Sequence, residues 1–359
     1  MNKKKVVVGM SGGVDSSVTA LLLKNEGYDV IGITMNVWQQ DPNAKNCEKA
    51  CCAVGAVNDA RLVAEKLDIP YYVLNFKQDF KEKVIDYFVS EYINGKTPNP
   101  CIACNRYVKF ETLLNKALNV FDAYYIATGH YAKVDYDSKT KRYFLRESVT
   151  MKKDQTYALY NLTQEQLSHI LMPLGNYTKE QVRKIARDNG LINANKHDSQ
   201  EICFVEGNNY SEFIQKYYGY NPKAGEIVDT NGKILGRHNG LINYTIGQRR
   251  GLKISSDKPL YVIKLDTKKS RLIVGDNKEL FSDHLICNKL NFMPFEKLDN
   301  PMNVQAKIRY GAKKAKAIII PNDDGTVLVK FDEPQRAITP GQAVVFYDND
   351  IVVGGGTIL

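Results

Sequence analysis

Lys5–Met10 (KVVVGM) is a short apolar run of the kind that forms a strand buried on both faces, and it leads directly into Ser11-Gly12-Gly13-Val14-Asp15-Ser16-Ser17. Ser16 to Asn25 then places Val18, Leu21 and Leu22 on one helical face, with Gly27 as the stop. No other stretch restricts the fold as much as this strand, turn and helix. Two adjacent glycines let the backbone turn tightly and bring its N–H groups to an anion. Ser11, Ser16 and Ser17 add hydroxyl donors, and the helix start adds positive potential. A bare connection would need one glycine and no serine cluster. No lysine stands at the Walker position, and the GxGxxG spacing of dinucleotide folds is absent. The loop therefore reads as a phosphate-binding turn of another kind.

The alternation continues. Val30–Val37, Tyr71–Phe76 and Tyr124–Thr128 read as strands, with helical stripes around Val57–Leu67, Phe80–Phe88 and Phe110–Ala117. This predicts a parallel sheet with helices on both faces and ligands at the carboxyl ends of its strands. Tyr131–Glu147 reads as a β-hairpin. Thr178 with Gln181 is a capping box opening a helix that closes at Gly190, and Asn193–Glu201 is a polar loop. From about residue 208, short β-type runs such as YVIKLD, RLIVGD, TVLVKF and AVVFYD recur between Gly, Asn and Asp turns, which predicts small barrels. At about 150 residues per domain, 359 residues allow two or three cores. The expected units are 1–207, 208–286 and 287–359.

Composition narrows the class. Hydrophobic residues make up 43% and charged residues 25%, so a disordered or disulfide-stapled chain is excluded. No apolar run approaches the roughly 20 residues of a membrane span. The basic start is followed only by VVVG, too short for a signal-peptide core, so a cytoplasmic protein is expected. A net charge of +9 permits a polyanionic partner such as RNA without demanding one.

Seven cysteines lie at 47, 51, 52, 101, 104, 203 and 287. Their odd number and wide spacing do not make a disulfide framework. Pro98 and Pro100 make the approach to Cys101 and Cys104 rigid, and Cys104 falls just before a helical stripe, beside Arg106 and Lys109. A thiol so placed should be acidified and nucleophilic. Half of a zinc site is the competing reading, but no second CxxC follows. Cys203 alone reads equally as a core thiol or a reactive one. Cys47, Cys51 and Cys52 fit a packed loop or a secondary metal or redox site, and Cys287 a core thiol.

SGGVDS resembles the PP-loop of the ATP pyrophosphatases, the adenine nucleotide α-hydrolase-like fold. That resemblance implies cleavage of ATP between its α and β phosphates and adenylation of a substrate. SGGVDSS, TPNPC-x-x-CN, ATGHYA, KKDQTY, DSQEICFV, YTIGQRRGL, RY before a basic run, and PGQAVVFY follow one another in that order. Across essentially the whole chain they resemble the tRNA-specific 2-thiouridylases (the MnmA or TrmU family). The implied fold is an α/β ATP pyrophosphatase domain, a small central domain and a C-terminal β-barrel. The implied enzyme is a tRNA-uridine 2-sulfurtransferase acting on the wobble uridine of tRNAs for Lys, Glu and Gln.

Carried over to matching positions, the resemblance makes Cys203 the persulfide carrier and Cys104 the nucleophile that pairs with it in a transient disulfide. Gly9, Met10, Ser11, Gly12, Gly13, Val14, Asp15 and Ser16, with Met35 and Gly129, would contact ATP, which brings Mg²⁺. Asn99, Pro100 and Cys101 would lie beside the target base. His130, Lys153, Asp154, Gln155, Arg309, Tyr310 and Gln342 would touch tRNA. A cysteine desulfurase or sulfur-relay protein is implied as donor. Many family members carry Asp where this chain has Cys101, so a third thiol enters the site. Cys101, Cys104 and Cys203 together suggest an alternative route through an iron–sulfur cluster. A PP-loop ligase acting on a small metabolite is the other competing reading, although amide formation needs no such thiols.

Overall fold

The computed structural model describes residues 2–38, 54–196, 202–205, 207 and 209–359. Cys47, Cys51, Cys52 and Asp198–Glu201 lie outside the described residues. The first sheet has five parallel strands in the order β3 (Tyr71–Asn75), β2 (Asp29–Asn36), β1 (Asn2–Gly9), β4 (Ala123–Ala127) and β7 (Ile170–Leu171). Val6, Val7 and Val8 in β1 are fully buried, because helices cover both faces. One face carries α1 (Val14–Asn25), α2 (Val54–Lys66) and α6 (Lys179–Asp188). The other carries α3 (77–93) and α4 (100–120). The short α5 (Gln164–Ser168) precedes β7.

Both α3 and α4 contain a π-type stretch, Lys81–Asp86 and Cys104–Thr112, and these stretches pack on one another. Such widened turns often occur at functional sites. Sequence periodicity placed Cys104 just before a helix. Instead, Asn99 caps an earlier start by accepting from the Cys101 N–H (3.1 Å), with Pro100 in the first turn. The physical reason is that proline suits a first helical turn, where its missing N–H has no partner to lose. Cys104 therefore lies one turn inside α4. The capping box at Thr178 forms both of its bonds.

α7 (Tyr210–Tyr218) leads into a four-stranded sheet of β10 (Tyr261–Asp266), β11 (Arg271–Gly275), β8 (Gly225–Asp229) and β9 (Ile234–His238). Its own small core is built on Ile227, Val262, Leu272 and Val274. The last six strands are β12 (Phe281–Phe292), β13 (Met302–Lys307), β14 (Ala315–Pro321), β15 (Val327–Arg336), β16 (Ala343–Asp348) and β17 (Ile351–Ile358). They run β12-β15-β14-β13-β16-β17, and β17 pairs back onto β12, which closes a barrel and removes its edges. The hairpin β5 (Ala132–Asp137) and β6 (Arg142–Glu147) joins this barrel through Ile351 opposite Arg146. The Arg146 guanidinium pairs with Asp135 and Asp350 at 2.7 and 3.0 Å. Strands from opposite ends of the chain thus tie the α/β layer to the barrel. Among the described residues no helix is long and apolar enough to cross a membrane.

Candidate active site

The glycine turn sits at the carboxyl end of β1, as the sheet topology requires. Gly12 has φ +72, and a Cβ there would lie 2.1 Å from the Ala56 carbonyl oxygen. Only glycine can make this turn against α2. The Gly12 carbonyl accepts from Asn193 Nδ2 and Lys196 Nζ, both at 3.2 Å, while Lys196 also pairs with Asp59 at 2.7 Å. Fixing that carbonyl fixes the peptide planes around it. Ser16 Oγ donates to the Gly13 carbonyl (3.1 Å) and accepts from the Ser11 N–H (3.2 Å), and Ser17 Oγ also donates to Gly13 (3.0 Å). The turn is thus held by its own serines and by the polar loop after α6. It ends at the start of α1, where a phosphate would meet positive potential. Gly12→Ala should cost about 2 kcal/mol or more of folding stability, from the left-handed backbone and the clash. Urea denaturation checks this; an unchanged midpoint would mean that the turn relaxes freely.

The Ala127-Thr128-Gly129-His130-Tyr131 turn closes over the same loop. A Cβ on Gly129 would come within 2.8 Å of the Asp15 carbonyl carbon and the Ser16 nitrogen, so the two segments touch backbone to backbone. Tyr131 donates its hydroxyl to Asp15 Oδ1 (2.8 Å), and Lys179 Nζ lies 2.8 Å from both Asp15 oxygens. Met35 is next to last in β2 and packs beside the core beneath α3 and α4. Gly9 and Met35 thus lie at the carboxyl ends of their strands, residues 10–13 and Gly129 on the loops that leave such ends, and residues 14–16 in the first turn of α1.

His130 is buried against Phe110, and its Nδ1 lies 2.7 Å from Thr128 Oγ1. Burial, reinforced by the Lys109 charge, lowers its pKa well below the ordinary value. The unfolded chain therefore takes up this proton first as pH falls. The stability gained from neutral His130 is present above about pH 6.5 and is lost progressively on acidification below it. Urea midpoints at pH 7.5 and 5.5 should differ more for the wild-type chain than for His130→Gln. An equal pH response in both would contradict this.

The cysteine-bearing turn is stitched to the barrel. The Thr97 N–H donates to the Pro340 carbonyl (2.9 Å), and Gln342 Nε2 donates to the Thr97 carbonyl (2.6 Å). Cys101 is exposed, while Cys104 and Cys203 are each half-buried against one apolar cluster. That cluster contains Phe80 and Phe88 of α3, Phe110 of α4 and Phe204. The Phe204 ring lies 5.6 Å from Phe80 and 5.3 Å from Phe88. The residue after Cys203 is thus anchored on the helix that packs against α4. Asn99 lines a cleft of about 410 Å³ with Tyr87, Arg106, Tyr107 and Lys289. Cys287 is buried in the barrel, and burial pushes its thiol up to about 12.

Among the described residues no group of three or more His, Cys, Asp or Glu side chains converges as a metal-binding set. Cys101, Cys104 and Cys203 do not fit a cluster site as they stand.

Several of the expected tRNA contacts adjoin one another, Tyr310 bonding Asp154 and Gln155 bonding the residue after His130. Asp154 is buried and accepts from the Ser148 and Thr156 N–H groups at 2.9 and 3.1 Å; burial raises its pKa. Gln155 exchanges bonds with the Tyr131 backbone at 3.0 Å, and Lys153 is half-buried in the preceding turn. Arg309 is exposed, with one nitrogen donating to the Arg336 carbonyl (3.1 Å). Tyr310 is exposed but turns its hydroxyl inward to the Asp154 carbonyl (3.2 Å); desolvation, then Asp154 and Cys101, raises its pKa. Lys307 sits over the Tyr157 and Tyr310 rings at 5.8 and 5.5 Å, and burial lowers its pKa.

Tyr131, Lys179, Asn193 and Lys196 were not singled out from sequence. One signal for Lys179 was available: a cation in the first turn of a helix is at the unfavourable end of the dipole.

Three family models match in tandem. They are described as a tRNA methyl transferase HUP domain over residues 4–207, a PRC-barrel domain over 211–276 and an aminomethyltransferase β-barrel domain over 282–358. A tRNA-specific 2-thiouridylase MnmA of Acetivibrio thermocellus is 59% identical over 359 residues, all of both chains. One from Thermoanaerobacter sp. is 60% identical, covering 99% of this chain and 97% of its own. One from Clostridioides difficile is 55% identical, covering 99% and 98%. The chain belongs to the tRNA-specific 2-thiouridylase (MnmA) family.

Proposed function

We propose that the protein thiolates C2 of the wobble uridine in tRNAs for Lys, Glu and Gln, consuming ATP and a persulfide sulfur. One observation carries this reading: a phosphate-type loop at the strand ends and two half-buried thiols belong to one α/β layer, in a chain 59% identical to a named 2-thiouridylase along its whole length. The family-model description speaks of methyl transfer. Transfer of a methyl group needs neither an ATP-cleaving loop nor a thiol pair, so the loop and the cysteines favour thiolation.

The C2 oxygen of uridine is a poor leaving group, and adenylation makes it a good one. Ser11, Gly12, Gly13 and Ser16 would hold the phosphates of ATP by fixed donors, with Mg²⁺ arriving on the nucleotide. The terminal sulfur of a Cys203 persulfide then attacks C2, and AMP leaves with the oxygen. The Cys104 thiolate attacks the Cys203 sulfur. The S–S bond to the base breaks, its electron pair stays on the 2-thiouridine sulfur, and Cys104 and Cys203 end as a disulfide. A dithiol reductant resets the pair. Release of hydrosulfide by Cys104 before attack is the alternative order. The wobble base must leave its stack, which costs a few kcal/mol, offset by phosphate contacts. Arg309 and Tyr310, with Gln342 beside the cysteine turn, would contact the anticodon loop. The sulfur would come from a cysteine desulfurase or relay protein. Incubation with ATP and bulk tRNA should release AMP only when tRNA is present. AMP release without tRNA would instead support a small-molecule ligase.

A further inference from the structure

Lys179 occupies a costly position. Its side chain is 9% exposed, and it stands in the first turn of α6, where the helix dipole opposes a cation. An apolar residue there would pack without either cost. What it meets is Asp15, the one acidic side chain of the glycine turn, with both oxygens at 2.8 Å. Tyr131 completes the arrangement, its hydroxyl on Asp15 Oδ1 and its ring 5.9 Å from the ammonium. Three segments distant in sequence therefore converge on one carboxylate.

We infer that Lys179 is a positioning residue that neutralises and fixes Asp15, so that a polyphosphate can enter a turn that would otherwise repel it. The inference rests on the nucleotide reading of the loop. Asp15 is in the first turn of α1, next to Ser16, whose hydroxyl holds the Ser11 N–H. An uncompensated carboxylate there faces the same positive end that attracts phosphate, and competes with it. With Lys179 in place the net charge of the pair is zero. Tyr131 and Lys179 together fix the carboxylate's direction, so Asp15 does not drift into the phosphate space.

The test is a double-mutant cycle on binding of a non-hydrolysable ATP analogue with Mg²⁺, measured by calorimetry on the full chain. Lys179→Met should weaken binding roughly tenfold or more. Asp15→Asn in that background should restore most of the loss, because the repulsive charge is gone, and Lys179→Arg should bind close to wild type. If the double variant binds as weakly as Lys179→Met, the lysine contacts the nucleotide directly and the inference is overturned. If Lys179→Met binds as the wild type does, the inference also fails. If the wild-type chain binds no analogue, the nucleotide reading itself fails. Melting curves of each variant identify any that do not fold, and for those Lys179→Arg against wild type decides.

Discussion

Cys203→Ser is expected to bind tRNA and ATP as the wild-type chain does and to form no detectable 2-thiouridine. The substitution removes one sulfur atom from a half-buried position beside Phe204. A hydroxyl cannot carry a sulfane sulfur, so no later step can replace the lost one. The loss should exceed about a thousandfold in single turnover, because knocking out one member of a covalent relay removes most of what the whole relay supplies. Cys104→Ser should differ in kind: Cys203 would still take up the persulfide, but release of sulfur would fail. Gel-shift binding to tRNA and nucleoside analysis distinguish these outcomes. Normal turnover of Cys203→Ser would remove it as the carrier.

Ser16→Ala should slow adenylation by about a hundredfold while tRNA affinity stays within a factor of about two. Ser16 Oγ bridges the Ser11 N–H and the Gly13 carbonyl, so its loss removes one hydroxyl donor and the tie that holds the turn in shape for the phosphates. Asp15→Ala should show the same order of effects, with the added cost of a buried Lys179 deprived of the Asp15 carboxylate. Tryptic stability separates misfolding from lost chemistry. Pyrophosphate release at the wild-type rate would take the loop out of the mechanism.

Most of the architecture was legible because short-range signals dictate it. The valines of β1 and the glycine stop at Gly27 announce strand and helix wherever they occur. The capping box at Thr178 formed both bonds because each partner lies within one turn of the other. Long-range features were less accessible. The hairpin of β5 and β6 was readable as a hairpin, but its junction with β17 depends on residues about two hundred positions away. Cys104 was misplaced by a turn, since periodicity begins with apolar residues and gives no weight to a capping Asn99 and a first-turn Pro100. The glycine turn was evident from Gly12 and Gly13, yet its supports Lys179, Asn193 and Lys196 are ordinary polar residues whose partners only the fold supplies. Cysteine roles came from resemblance, not from local pattern, because a half-buried thiol has no distinctive sequence surround.

The most direct measurement follows the sulfur itself. The protein is loaded with a ³⁴S persulfide, freed of excess donor, mixed with ATP and tRNA for a single turnover, and the tRNA nucleosides are analysed by mass spectrometry. The account predicts 2-thiouridine at the wobble position carrying ³⁴S, in an amount no greater than the protein, with Cys104 and Cys203 recovered as a disulfide. Thiouridine without the label, or labelled product from a Cys203→Ser chain, would contradict it.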